Sequence, residues 1–203
     1  MQLPSSTTHL EYDLSILCGP YPQPFFVHIF LGDVPHNIDY NLPVDHPSWV
    51  AQQYITPHSP DQLAAYSSTI AQSNPQSNIN DGPPPQHHHH LPFLKNAITA
   101  SICLTPHILA RLHLSSPTEL NPSTIPAYLH ENLHWTLSSV SPVRKELDVK
   151  GVPIRLWVVE SEVTPLPEGR WGPPTVGRSE TLWEATRGKE GGLRKGEMPE
   201  GEA

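Results

Sequence analysis

The residues His130-Glu131-Asn132-Leu133-His134 fit the pattern H-E-x-x-H. On one helix the two imidazoles would stand a turn apart and could hold zinc, with Glu131 as general base toward a metal-bound water. A zinc hydrolase also needs a third ligand, and no H-x-x-G-x-x-H extension follows; Glu146, Glu160 or Glu162 would have to supply a carboxylate. The competing reading is a short helix end carrying surface histidines. The same pair has the H-x-x-x-H spacing of paired-copper oxidases, but a type-3 copper centre takes three imidazoles per metal from a bundle of long helices. A chain with prolines this frequent does not offer such a bundle.

A second group of candidate ligands is the run His87-His88-His89-His90. Neutral imidazoles in a row bind soft or borderline metal ions weakly, whereas a low-complexity expansion in a loop is the alternative. Neither a glycine-rich phosphate loop nor a G-x-S-x-G nucleophile turn occurs, and Cys18 has no C-x-x-C partner. Cys18 and Cys103 fall in separate predicted strands and could meet, but two cysteines define no disulfide framework, and free thiols are the expected state.

The elements that must position these groups are read from periodicity. Phe25 to Leu31 is a run of aromatic and β-branched residues bounded by Pro24 and by Gly32-Asp33, the pattern of a strand covered on both faces. Leu10–Leu17 alternates apolar and polar residues and is expected to pair with or lie beside it. Ala97–Leu104 and Trp135–Val140 alternate likewise, and Val152–Val159 is expected to be the strongest partner of Phe25–Leu31. Thr105-Pro106 opens a short helix over His107–Leu114, and Thr124-Ile125-Pro126 opens another with Ile125, Leu129 and Leu133 on one row. Val34–His58 reads as a proline-bearing loop anchored by Trp49 and Tyr54, with a helical run near Asp61–Ser67. The prediction is a mainly β domain, an antiparallel sandwich or partly open barrel with two short helices.

Composition bounds the rest. Prolines number 25 in 203 residues, more than twice ordinary usage, so much of the chain is neither helix nor central strand. The 68–92 region is rich in Gln, Asn, Pro and His and is expected to be a flexible insertion; residues 1–9 and 166–203 are expected to be a disordered start and a loosely attached to disordered tail, leaving 10–165 as the domain. The net charge is −8, and no Lys or Arg precedes Lys95. Such a front half does not suit a nucleic-acid backbone. With no apolar run of membrane length and no signal-peptide pattern, the default expectation is a cytoplasmic protein.

Three segments in order, Phe26-Val27-His28-Ile29-Phe30-Leu31-Gly32-Asp33, Ile125-Pro126-Ala127-Tyr128-Leu129-His130-Glu131-Asn132-Leu133-His134-Trp135 and Val158-Val159-Glu160-Ser161-Glu162-Val163-Thr164-Pro165, resemble the C-terminal domain of fungal tyrosinases. The segment from Pro174 to Gly188 is similar to the end of that family. The resemblance implies an immunoglobulin-like or barrel-like β unit that follows a helical dicopper domain, covers its copper pocket, keeps a proenzyme latent and is removed by proteolysis. Copper belongs to the catalytic domain, which these residues lack, so no tight cofactor and no phenol oxidase activity are expected of this chain alone. The implied partner is a type-3 copper oxidase domain. The family's C-x-x-C copper-delivery motif is absent, and His87–His90 stand in its region. Chain order puts the family's aromatic placeholder near Tyr66. The alternatives are a zinc hydrolase built on His130, Glu131 and His134, or a β-rich interaction module without metal.

Overall fold

The computed structural model describes residues 7–36, 38–40, 46–64, 97–141, 143–167 and 170–193. Among these, eight strands form two four-stranded antiparallel sheets. The strands are β1 (His9–Cys18), β2 (Phe25–Leu31), β3 (Trp49–Ile55), β4 (Ile98–Cys103), β5 (Leu133–Ser139), β6 (Glu146–Leu147), β7 (Ile154–Thr164) and β8 (Thr175–Thr181). The first sheet has the order β4-β1-β7-β8 and the second β3-β2-β5-β6. Three helices join them, α1 (Thr105–Leu112), α2 (Ile125–Asn132) and α3 (Trp183–Thr186). Helical backbone also occurs at 60–64.

The period-2 pattern explains the core. On β1, Tyr12, Leu14, Ile16 and Cys18 are fully buried, and on β2, Phe25, Val27, Ile29 and Leu31 are as well; all belong to one apolar cluster between the sheets. Ile154, Leu156 and Val158 of β7 and Leu133 and Leu137 of β5 complete its walls. The row predicted on α2 is buried along its length, since Ile125, Leu129 and Leu133 are each at most 1% exposed. Each such side chain contributes roughly 1.5–3 kcal/mol by leaving water.

The strand arrangement differs from expectation in three places. β1 and β2 do not pair: β1 lies between β4 and β7, while β2 lies between β3 and β5, so the two strands face each other across the core. For the same reason β7 is the partner of β1, not of β2. Finally, Trp49–Ile55 is a strand rather than loop, paired with β2 from Phe25↔Ile55 to Phe30↔Trp49. It is an edge strand, which is why polar Gln52 and Gln53 are tolerated in it.

Thr105 also differs from its expected role. It sits inside the first turn of α1, and its hydroxyl accepts the backbone N–H of Tyr12 at 2.7 Å instead of capping the helix. After Pro165, β8 extends the first sheet along β7, and Leu182, Ala185 and Leu193 are buried.

Candidate functional site

α2 stops at Asn132, and Leu133 adopts φ −79° and ψ 118°, which turns the chain directly into β5. His130 and Glu131 therefore sit exposed on the last helical turn, whereas His134 is half-buried on a strand with its Cα opposite that of Phe30. The one-turn spacing that a helical zinc pair requires is not formed. Burial, and then the charge of Lys189, lower the His134 imidazole pKa. Among the described residues no group of three or more His, Cys, Asp or Glu side chains could hold a metal ion. Tyr66 and His87, His88, His89 and His90 lie outside the described residues. The two cysteines are free and do not meet: β1 aligns Cys18 with Ile98 and Asp13 with Cys103, so the thiols lie toward opposite ends of one strand pair. Burial pushes the Cys18 thiol up to about 12.

The structure brings together a polar and aromatic layer that periodicity alone does not announce. Phe26, His28 and Phe30 point away from the main core, onto the other face of the second sheet. His28 and Phe30 are nonetheless fully buried, as the expectation of a doubly covered strand requires. The His28 Nε2 and the Ser138 hydroxyl share a hydrogen bond of 2.8 Å, and the Tyr40 ring stands 4.9 Å from the imidazole. Its Nδ1 has no partner among the described residues. Burial, reinforced by the Arg144 charge, lowers the imidazole to about 4, so it is neutral at pH 7.

Arg144 ties this layer together. Its guanidinium lies 4.4 Å over the Phe26 ring and donates to the Tyr40 carbonyl at 2.9 Å. Phe26 in turn packs on Tyr54 at 5.3 Å. At the margin of the layer Tyr54, Val140 and Val143 are 42%, 39% and 61% exposed, an apolar rim beside a cation. The signal in the sequence was a histidine at the centre of an apolar strand.

Residues 183–193 hold the opposite margin. Lys189 donates through Nζ to the carbonyls of Leu133 and Leu129, the latter at 3.2 Å, and so closes the C-terminal end of α2. Burial lowers its amine to about 8. The Trp135 indole N–H donates to the Glu190 carbonyl at 2.8 Å, and Leu193 and Leu156 are joined by a backbone bond of 2.9 Å. By contrast, Trp171, between β7 and β8, is 99% exposed.

Open clefts also occur among the described residues. One, of about 310 Å³, lies between α1 and the adjoining ends of β2 and β3, with Arg111, His107 and Trp49 on its wall. Another, of about 300 Å³, is lined by His134, Glu146, Lys189 and Glu190 among others.

Residues 19–155 match the family described as the tyrosinase C-terminal domain. The chain belongs to that family. The match takes in β2 to β5, both long helices and the polar layer around His28. As a fold, this tyrosinase C-terminal domain is similar to the structure of recombinant mushroom tyrosinase (abPPO4), at a TM-score of 0.50 and 12% identity over 89% of this chain. A second structure, of latent and active mushroom tyrosinase (abPPO4) together in one crystal, aligns with a TM-score of 0.46 and 15% identity over 86% of the chain. The domain spans about a quarter of the mushroom tyrosinase chains it matches, 26% and 25% respectively. Comparison with curated protein sequences finds no match.

Proposed function

We propose that this domain is a non-catalytic cover for a tyrosinase-type oxidase domain, seated over the type-3 copper pocket and holding the oxidase inactive. The observation that carries the reading is the family match over residues 19–155 in a chain that corresponds to a quarter of a full tyrosinase. The rim of Tyr54, Val140 and Val143 beside Arg144 supplies apolar area and an arginine of the kind that anchors protein contacts. A cover joined to its oxidase acts at high effective concentration, so modest contacts exclude substrate. Substrates are phenols and diphenols that reach the oxidase only when the cover is removed.

The test is to add the purified chain to a fungal tyrosinase oxidase domain lacking its own C-terminal domain and to follow diphenol oxidation. Saturable inhibition supports the cover; an unchanged rate at large excess overturns it. Assistance in copper loading is the finer part of the proposal and rests on His87–His90. Deleting these four residues is expected to abolish weak copper binding by the chain in titration calorimetry, and unchanged affinity would remove that part.

A further inference from the structure

We propose that the cleft between α1 and the β2–β3 edge binds a small aromatic carboxylate. The protein carries a net charge of −8, yet among the described residues the wall of this cleft bears one guanidinium, Arg111, and two imidazoles, His107 and His113, with no carboxylate. Arg111 makes no hydrogen bond and no ion pair among the described residues. Its position on the last turn of α1 would suit a bond to the helix-end carbonyls, but the backbone there closes on itself: His113, left-handed at φ 55°, returns its own N–H to the Leu109 carbonyl. The guanidinium lies instead over the end of β2, where Gly32 has φ +110° and a Cβ would stand 3.4 Å from the Arg111 Nη2. With no Cβ at Gly32, the guanidinium packs closely against that turn.

The remaining surface suits a ring. Leu31, Val50 and Trp49 line the cleft together with the imidazoles, and the Trp49 indole N–H is buried with no acceptor among the described residues. Apolar walls with a few convergent donors are the usual composition of a small-molecule site, and an arginine fork matches a planar carboxylate. Burial lowers the His107 imidazole, so at neutral pH it serves as a neutral hydrogen-bonding group and the fixed charge is that of Arg111. One cation selects a monoanion. The inference does not depend on the cover reading.

Titration calorimetry of the full chain with phenylacetate tests it, with 2-phenylethanol and inorganic phosphate as controls. Phenylacetate is expected to bind with Kd of about 1 mM, and each control at least about tenfold more weakly. Arg111→Gln is expected to weaken phenylacetate at least about tenfold, and Ala110→Glu, which places a carboxylate on the exposed lining, to abolish binding with the melting temperature retained. Equal binding of 2-phenylethanol would remove the role of the charge, and equal binding of phosphate the role of the ring. Unchanged affinity in Arg111→Gln, or no saturable binding of phenylacetate, would overturn the site.

Discussion

The His28 imidazole on β2 and the Ser138 hydroxyl on β5 meet at 2.8 Å beneath the Tyr40 ring, on the face of the second sheet that turns away from the main core. Both side chains are fully buried. Because Nδ1 has no partner among the described residues, the bond to Ser138 carries the hydrogen bonding of the ring. Ser138→Ala is therefore expected to destabilise the domain by about 1–3 kcal/mol, the cost of leaving a buried polar group unmatched. Chemical denaturation checks this, and a change below about 0.5 kcal/mol would mean that the bond contributes little.

The same imidazole makes stability depend on acid. Its folded pKa is lowered to about 4 from 6.5, so between those values the unfolded chain binds the extra proton and stability falls as pH decreases. Above about pH 6.5 the contribution is fully present; by about pH 4 up to roughly 3 kcal/mol is lost. Thermal melts from pH 7 to 4.5 should show this loss, and His28→Gln should flatten it. An equal slope in the variant would assign the acid response to other groups.

Lys189 and the residues after it are expected to be part of the folded unit. Lys189→Met removes two bonds to the end of α2, and ending the chain at Thr186 also removes the buried Leu193. The point variant is expected to cost about 1–3 kcal/mol and the truncation more, since losing a buried leucine alone costs about 2–5 kcal/mol. Melting curves that overlay the parent would show that the segment is dispensable.

What the sequence discloses depends on whether burial writes a pattern. Phe25–Leu31 and Leu10–Leu17 are legible because most of their residues meet apolar neighbours, and the Ile125, Leu129 and Leu133 row because a helix buries one stripe. Sheet membership is not legible in this way. Two apolar strands in sequence can lie side by side or face to face, and only contacts with Ile154–Thr164 and Leu133–Ser139, more than a hundred residues away, decide between these. Trp49–Ile55 escaped notice because an edge strand accepts Gln52 and Gln53. Thr175–Thr181 left still less trace, being exposed along nearly all its length and ordered through its bonds to β7. His130 and His134 looked like a pair because spacing does not reveal where a helix ends, and Leu133 is needed in the core.

The most direct test of the cover reading joins this domain to the oxidase domain of a fungal tyrosinase through a flexible linker with a protease site. The linker sets an effective concentration of about millimolar, high enough for a weak cover to close. Diphenol oxidation is expected to be low before cleavage and to rise at least about tenfold after cleavage and dilution. The same rate before and after, from a fusion loaded with copper, would contradict the account.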